Sequence, residues 1–493
     1  MMKDSYKKES PLPTLVSLGG GSSGSLYPSL GESYFIGVFG TSSSDGSDYG
    51  IDIAIDSSEN IYICGPSYGL YSTTGVGGTP LIFKYNKDGE YQWQRTFSMF
   101  NSGVAPEDII CDSSGNVYIG AVVSGNGALV KYNGSGDLQW TRSFGTTSNE
   151  HVRGIGIDSS DNVYTIGYGH KRNSNNSSWS DQHVVKYNSS GTQQFVRCIG
   201  DYYTGKQGWC IDVDSSGNYY PCGYVNDGVL GILVGKFTSS HTRSWQKRIW
   251  SSGNSTNSQG GIAVDSSGNV HIVGDTNASA TGSRDICIIK LDSSGNTTWQ
   301  RYLGIASRTL YGRDITIDNS GNVYIIGKGS VDYSGDPIYP YTGTMDTIII
   351  AKYSSSGVLQ WKRFLGVMIS PVQSGNYTDV EEGRSIKVDP TGKNLYIAGI
   401  TRNGNFGYGQ DDVVWAKLPT DGSGIGTYSG PGPRDIIYGD ATNLTSKAGS
   451  LSNNTYNTDH QSMTATGYPY TEYSHANQSF TPTVSNTTVE IVT

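Results

Sequence analysis

The chain has 493 residues, including 67 Gly and 35 Tyr, while only 16% of its residues are charged and its formal net charge is −9. Length alone favours two to four ordinary domains, although an internal repeat would extend a single domain beyond the usual size. The negative charge and the lack of any Lys or Arg run argue against a phosphate-binding surface, so we expect no nucleic-acid partner.

No stretch of the sequence approaches the roughly 20 consecutive apolar residues of a membrane helix. Residues 1–24 include basic residues but no continuous apolar segment of the kind that a secretory signal contains. We therefore expect neither a signal peptide nor insertion into a membrane.

A repeated unit dominates the sequence. Residues 1–33 form a polar arm containing Gly and Ser, Tyr34 to Gly40 form the first predicted strand, and one unit then recurs seven times. Each unit consists of an apolar strand, an Asp-Ser-Ser-Gly-Asn turn, a second apolar strand, a variable loop, a third strand ending in Lys, a Gly-containing turn, and a fourth strand opening with Trp-x-Arg.

Three positions mark the seven copies of the unit. The turns begin at Asp56, Asp112, Asp158, Asp214, Asp265, Asp318 and Asp389. The Lys recurs at Lys84, Lys131, Lys186, Lys236, Lys290, Lys352 and Lys417. The fourth strand opens with Trp93, Trp140, Phe195, Trp245, Trp299 and Trp361. Successive turns are 46 residues (Asp112 to Asp158) to 71 residues (Asp318 to Asp389) apart, which is the length of a four-stranded propeller blade.

The seventh unit lacks its fourth strand, since no Trp-x-Arg follows Lys417. The strand at Tyr34 to Gly40 supplies the missing sequence, with Phe35 in the place of Trp140. We therefore predict an all-β fold, a seven-bladed β-propeller of four-stranded antiparallel blades over residues 34–422. The N-terminal strand closes its last blade, and extended arms, residues 1–33 and 423–493, flank it.

The repeat resembles that of the seven-bladed β-propeller repeat family of bacterial and phage proteins. The resemblance lies in units such as GIAVDSSGNVHIVG followed by DICIIKLDSSGNTTWQRYLG. It implies the fold and little about the activity, because propellers host many unrelated functions.

The Asp-Ser-Ser-Gly-Asn turns have a structural explanation. In the fifth unit, Asp265 opens a type I turn and its carboxylate accepts the following N–H groups, while Gly268 takes the left-handed position. Glu59 and Asp161 stand where other units have this Gly, which predicts backbone strain of roughly a kcal/mol at each. A calcium loop needs several closely spaced oxygen ligands, whereas each turn supplies one Asp. We therefore predict no metal site and no cofactor.

The face opposite these turns is the first candidate binding surface. It carries the long, unequal loops between the second and third strands and between blades, where a rigid scaffold usually binds its partners. Its aromatic side chains suit protein or glycan surfaces. They are Tyr68, Tyr71, Tyr168, Trp179, Tyr202, Tyr203, Tyr224, Trp250, Tyr339, Tyr341, Tyr377 and Tyr408. The alternative is that they only pack the loops against one another.

The mouth of the central channel is the second candidate surface, because each innermost strand begins with polar residues. These are Asp48, Glu107, Asp108, Arg153, Arg313, Asp314, Glu382 and Arg384. Such a ring can hold a small ligand or a cation, or it can simply surround a water-filled mouth.

Signals for catalysis are sparse. A glycan-cleaving enzyme needs two carboxylates roughly 5–10 Å apart, and Glu107, Asp108, Glu381 and Glu382 are the candidates. The segment 292–299 resembles the Asp box of sialidases loosely, because both of its internal spacings are one residue too long. The scattered His residues match no zinc or nucleophile pattern. We therefore predict no catalytic residues.

Two cysteines form a separate case. Cys210 and Cys222 face each other in the register that pairs Val213 with Tyr219. Both a disulfide and a pair of free thiols are compatible with that geometry, and free thiols are favoured for a chain made without secretion.

The C-terminal segment, residues 423–493, differs from the blades in being sparse in charge and rich in Ser, Thr, Asn and Tyr. It contains only short strand candidates such as Thr487 to Val492, and it would become ordered by lying on another surface, most simply a neighbouring subunit. Arms at both ends and the missing signal peptide resemble the tail, fibre or decoration proteins of bacteriophages.

We therefore expect a non-enzymatic virion protein. Its arms (residues 1–33 and 423–493) would dock to other virion proteins, and its loop-rich rim would bind a host-surface glycan or another virion protein. The alternatives are a bacterial surface or periplasmic propeller that binds protein or sugar, and a glycan-cleaving propeller enzyme.

Overall fold

The computed structural model describes residues 14–17, 34–39, 47–68, 78–96, 104–123, 125–145, 150–170, 180–200, 205–226, 228–250, 256–257, 260–277, 284–332, 344–368, 381–402, 411–429, 435–441, 444–448, 452–455, 459–462 and 471–474. Every regular element within these ranges is a β-strand. The same ranges contain no helical segment with the length and apolar content to cross a bilayer.

The strands are numbered in chain order. The chain starts with β1 (Thr14–Ser17) and β2 (Phe35–Phe39). Blade 1 consists of β3 (Asp52–Ile55), β4 (Ile61–Ser67), β5 (Thr79–Tyr85) and β6 (Tyr91–Thr96); blade 2 of β7 (Val104–Cys111), β8 (Val117–Val123), β9 (Asn126–Tyr132) and β10 (Leu138–Gly145); blade 3 of β11 (His151–Ile157), β12 (Val163–His170), β13 (Ser180–Tyr187) and β14 (Gln193–Gly200). Blade 4 consists of β15 (Gly205–Val213), β16 (Tyr219–Asn226), β17 (Leu230–Phe237) and β18 (Arg243–Trp250).

Blade 5 consists of β19 (Thr256–Asn257), β20 (Ile262–Val264), β21 (Val270–Thr276), β22 (Asp285–Leu291) and β23 (Thr297–Gly304); blade 6 of β24 (Leu310–Ile317), β25 (Val323–Asp332), β26 (Thr344–Tyr353) and β27 (Leu359–Met368); blade 7 of β28 (Glu382–Val388), β29 (Asn394–Arg402) and β30 (Asp411–Pro419). The C-terminal segment adds β31 (Gly426–Ser429), β32 (Asp435–Asp440), β33 (Thr445–Ala448), β34 (Ser452–Thr455), β35 (Asp459–Ser462) and β36 (Thr471–Ser474).

These strands form seven antiparallel sheets arranged as a ring. Within each sheet the strands of a blade pair in chain order. The innermost strands β3, β7, β11, β15, β20, β24 and β28 contact one another in that order, and β28 contacts β3. The seven-bladed propeller predicted from the repeat is therefore confirmed.

The N-terminal strand closes the ring, as predicted. Strand β2 pairs with β30, and this register sets Phe35 opposite Lys417, just as Trp299 lies opposite Lys290 in blade 5. Phe35 is 1% exposed and packs edge-to-face on Trp415, with ring centroids 5.0 Å apart. Because β2 completes the last blade, the outer edge of β30 is paired.

The Asp turns have the predicted capping geometry. In the fifth unit the Asp265 carboxylate accepts the N–H groups of Ser267 and Asn269 at 3.0 and 2.9 Å, and Gly268 has a φ of 75°. Glu59 and Asp161 occupy the same left-handed region, with φ values of 60° and 58°. A side chain in that region is strained, so these two turns carry the predicted cost.

The Lys, Trp and Arg of each unit join neighbouring blades. In blade 6, Lys352 Nζ and Trp361 Nε1 both donate to the Thr420 carbonyl oxygen of blade 7, at 3.2 and 3.1 Å. Arg363 Nε donates to the Gly422 carbonyl oxygen at 2.8 Å. Equivalent bonds leave blades 1, 2 and 5. The most visible residues of the repeat therefore hold the ring together.

Apolar packing between blades forms the core. One cluster combines Val273 and Ile286 of blade 5 with Ile325 and Ile349 of blade 6, all fully buried. Because each sheet buries both faces against its neighbours, the sequences of its strands are nearly continuous apolar runs.

Both arms lie along the outer edges of the blades where the structure describes them. Strand β1 pairs with β2 of blade 7. The C-terminal strands run backwards around the ring: β32 pairs with β27, β33 with β23, β34 with β18, β35 with β14 and β36 with β10. The tail thus adds a fifth strand to blades 6, 5, 4, 3 and 2 in turn. The candidate strand Thr487 to Val492 lies outside the described residues.

Candidate functional site: the mouth of the central channel

A β-bulge shapes the channel side of five blades. The pairing of each innermost strand with the next skips one residue, and the skipped residues are Glu107, Arg153, Trp209, Arg313 and Arg384. A bulge leaves its extra residue outside the ladder and re-aims its side chain. All five residues line the central cavity, whose volume is about 440 Å³, within the usual range for small-ligand sites.

In four of these five sheets, a glycine in the second strand permits the close backbone approach. At Gly167, Gly223, Gly327 and Gly399, an added Cβ would collide with a backbone carbonyl oxygen of the innermost strand. Only glycine lacks that atom, so the backbone approach requires glycine at these four positions.

Blades 6 and 7 make one side of the mouth basic. The buried Glu382 carboxylate lies 2.7 Å from Arg313, 3.2 Å from Arg384 and 3.2 Å from Lys328. Burial raises the pKa of Glu382, but the three cations outweigh burial and lower the pKa below its ordinary value. Three cations therefore surround the single carboxylate of Glu382 at this side of the mouth.

Blades 3 and 4 make the opposite side aromatic. Arg153 pairs with Glu107 at 2.7 Å, and its guanidinium lies 4.9 Å from the Trp209 ring and 5.7 Å from the Tyr168 ring. The Tyr168 ring stacks on His151 with centroids 4.6 Å apart. This wall offers flat ring surfaces beside a cation that is already paired.

Carboxylates form a second layer deeper in the channel. Asp52 accepts the N–H of Ile109 in the next blade at 2.8 Å, and Asp108 accepts the N–H of Ile155 at 2.7 Å. Burial, the charge of Asp52 and a hydrogen bond with Asp52 raise the pKa of Asp108 well above its ordinary value. Both carboxyl groups accept a backbone N–H from the following blade and so connect adjacent blades.

The remaining ionisable groups of this layer include a buried ion pair. Lys387 lies 3.0 Å from Asp314 and 3.9 Å from Asp52. The charges of Asp314, Asp52 and Asp108 outweigh burial and raise the pKa of Lys387. Asp212 accepts the Val264 N–H at 2.7 Å, and burial raises its pKa to about 6.

The sequence placed most of the channel residues correctly. Glu107, Asp108, Arg153, Arg313, Asp314 and Arg384 line the cavity, and Glu382 is paired with two of them. Asp48 is not among the lining residues: it is fully buried at the rim, where its N–H donates to the Asp411 carbonyl oxygen at 2.8 Å. Asp48 lies earlier in its unit than the other candidates do, so it comes before the residues of its blade that line the channel.

Several channel residues were missed from sequence. Trp209 occupies a bulge position, Asp212 and Lys387 lie two residues before their Asp turns, and Lys328 belongs to the second strand of blade 6. The signal that would have identified Trp209 is its alignment with Glu107, Arg153, Arg313 and Arg384, each five residues before an Asp turn.

Four of the predicted rim aromatics are described. Tyr68 is 46% exposed and meets Tyr49 edge-to-face at 5.7 Å, while Trp250 lies 4.6 Å under the Arg248 guanidinium. Tyr168 belongs to the aromatic wall of the mouth, and Tyr224 is half-buried, with a pKa raised mainly by burial. Tyr71, Trp179, Tyr202, Tyr203, Tyr339, Tyr341, Tyr377 and Tyr408 lie outside the described residues.

The paired cysteines are free thiols in the structure. Cys210 lies opposite Cys222, as the predicted register requires. A hydrogen bond with Cys222, followed by burial, raises the pKa of Cys210 well above its ordinary value. In the described part of the chain, no three His, Cys, Asp or Glu residues cluster so as to hold a metal ion.

Comparison with known proteins agrees with this architecture. Residues 298–334, from the last strand of blade 5 through the first hairpin of blade 6, match the family model described as SBBP, Beta-propeller repeat. This match covers one unit of the repeat and agrees with the propeller fold that the sheets form. No curated protein matches the propeller's sequence.

Solved structures with a similar fold include a protein of unknown function from Bacteroides caccae, at 13% identity and a TM-score of 0.34, over 59% of this chain and 91% of that one. A second, of unknown function from Dyadobacter fermentans, has 9% identity and a TM-score of 0.40, over 78% and 97%. A luciferin-regenerating enzyme has 12% identity and a TM-score of 0.32, over 77% and 94%. The propeller fold of this chain is therefore established by the pairing of its own strands.

Proposed function

We propose that this propeller is a non-enzymatic binding protein of a bacteriophage particle, in which the loop-rich face and the channel mouth recognise a host-surface glycan. The observation that carries the proposal is the ring of bulged side chains. Five blades use the same backbone irregularity to direct charged or aromatic side chains into one cavity of about 440 Å³. Convergence of this kind is a feature of small-ligand sites.

The deeper carboxylates support binding over hydrolysis. Asp52 and Asp108 are hydrogen-bonded to each other, which is closer than the roughly 5 Å minimum between the two carboxyl groups of a glycosidase. Each also accepts a backbone N–H from the next blade. Glu382, another of the four candidates, lies among three cations that lower its pKa, so it lacks the raised pKa of a general acid.

The arms support a role in an assembly. Their described strands are short, and they pair with the outer edges of six blades. An outer edge strand offers unpaired N–H and C=O groups to a neighbouring chain. We propose that residues 1–33 and 423–493 contact other virion proteins along this perimeter.

Two experiments test the proposal. Antibodies against the purified propeller should label phage particles in electron micrographs, and a glycan array should retain the propeller on host-type glycans. Failure to label particles would contradict the virion role, while retention on no glycan would contradict the ligand class. Release of sugar from a bound glycan, abolished by Glu382→Gln, would instead favour the enzyme alternative.

A further inference from the structure

The basic side of the mouth has more positive charge than its own carboxylate balances. Glu382 is almost fully buried, with a side chain 2% exposed, whereas Arg313, Lys328 and Arg384 are 17%, 19% and 32% exposed. The carboxylate is therefore less exposed than the three cations, and two of these cations, Arg313 and Arg384, line the cavity. Arranging like charges side by side costs free energy, which an incoming anion would offset.

Arg313 has hydrogen-bond donors that no described residue accepts. Its Nε lies 2.7 Å from a carboxylate oxygen of Glu382, and its guanidinium lies 5.4 Å from the Tyr311 ring. In the portion of the chain that the structure describes, its two terminal nitrogens have no hydrogen-bond acceptor. A planar guanidinium with both ends available matches an oxyanion such as a carboxylate in a two-pronged geometry.

The opposite wall adds an apolar and hydrogen-bonding surface. In a ring of seven, blades 6 and 7 face blade 3. Trp209 of blade 4 lines the cavity, and Tyr168 of blade 3 lies beside it, with ring centroids 6.3 Å apart. The Trp209 Nε1 is buried and, among the described residues, no acceptor is within reach. Leaving a buried N–H donor without an acceptor costs free energy, and a ligand oxygen that accepts this hydrogen bond would offset the cost.

The second layer limits how deeply an anion can enter. Below the mouth lie the carboxyl groups of Asp52, Asp108, Asp212 and Asp314, against the single cation Lys387. That layer repels negative charge but can accept hydrogen bonds from hydroxyl groups. The ligand should therefore combine one anionic group held at the rim with a ring whose hydroxyls point inward.

We propose that the channel mouth binds a carboxylate-bearing sugar, such as a uronate residue of an acidic glycan. Its carboxylate lies against Arg313 and Arg384, and its ring packs on Trp209 and Tyr168. The assignment rests on the proposed glycan-binding function and names the ligand class of the same site. Charge alone would also suit a free anion; the facing aromatic wall favours a sugar ring, since sugars present apolar C–H faces to aromatic side chains.

The test compares uronate oligosaccharides with their methyl esters, which keep the ring and lose the charge. Wild-type propeller should bind the acids at least tenfold more tightly than the esters, because charge-assisted hydrogen bonds exceed that difference. Arg313→Gln should reduce affinity for the acids roughly tenfold to a hundredfold and leave affinity for the esters unchanged. Arg313→Lys, which keeps the charge but loses the two-pronged geometry, should fall between them.

Lys87→Gln is the matched control. Lys87 is exposed in the turn between the third and fourth strands of blade 1, on the opposite face of the ring, so the same change of charge should leave binding as in the wild type. Melting temperatures of all variants show whether a lost signal reflects lost folding. Trp209→Leu, if folded, should weaken binding of both acid and ester.

Equal affinity for acid and ester would overturn the proposal while leaving glycan recognition intact. Unchanged binding by Arg313→Gln would also overturn it, because the acid would then be held elsewhere. If no member of a set of acidic and neutral glycans is retained, the proposed glycan ligand fails as well.

Discussion

Replacing Asp412 with Asn should stabilise the propeller at pH 8 and have little effect near pH 4. Asp412 is fully buried at the start of β30, and neither carboxylate oxygen has a hydrogen-bond partner among the described residues. Burial, followed by the charges of Asp48 and Asp411, raises its pKa to about 7. Asn keeps the shape of the side chain and removes the charge.

The sign follows from the two pKa values. In the unfolded chain Asp412 ionises near 3.8, whereas in the folded chain it stays protonated up to about 7. The group therefore costs stability progressively as the pH rises between these values, and the full cost applies above pH 7. The difference corresponds to about 4 kcal/mol as an upper bound, and to roughly 1–2 kcal/mol at pH 5.

Urea unfolding of wild type and Asp412→Asn at pH 4, 6 and 8 measures this difference. Asp318→Asn is the control: its carboxylate accepts the N–H groups of Ser320 and Asn322, both at 2.9 Å, so the substitution should destabilise by roughly 1–2 kcal/mol at every pH above 5. A destabilised Asp412→Asn at pH 8, or a gain that does not change with pH, would refute the reasoning.

Four further predictions concern the ring, its arms and its cysteines. Trp361→Phe removes the bond to the Thr420 carbonyl oxygen and should lower the free energy of unfolding by about 1 kcal/mol; an unchanged urea midpoint would contradict the blade-to-blade role. Deletion of residues 1–40 exposes the outer edge of β30 and should lower the melting temperature, so an unchanged value would argue against closure by β2. Deletion of residues 430–493 uncovers the outer strands of five blades and should promote association, detectable by light scattering. Mass spectrometry without reductant should show Cys210 and Cys222 as thiols, and a mass lower by a pair of hydrogens would contradict this.

The fold could be predicted because its signals are local and repeated. Asp265, Gly268 and Asn269 specify one tight turn through backbone geometry, and seven copies at blade spacing leave little choice of architecture. The closing strand was recognisable because Phe35 stands where Trp stands in the other units. The path of the C-terminal arm was beyond prediction, since its short polar strands pair with edges that lie hundreds of residues away in sequence.

The composition of the site was predicted in part, for a different physical reason. Position along the innermost strand identified Glu107, Arg153, Arg313 and Arg384, but strict alternation cannot say which of two neighbouring residues faces the channel. A bulge breaks that alternation. It is recorded in the sequence only indirectly, by a glycine on the adjacent strand such as Gly327.

The arginines of this propeller show why residue type alone could not locate the site. Arg363 donates its Nε to a carbonyl oxygen of the next blade, and its guanidinium lies 5.6 Å from the Trp361 ring. Arg313 instead occupies a bulge, shares a buried carboxylate with two other cations, and lines the cavity. The first arginine belongs to the repeated unit and its contacts serve the ring. The second arginine lies at a position where the units differ from one another. Ring closure depends on the contacts that the units share, so the residues that vary from blade to blade at the mouth are available to bind a ligand.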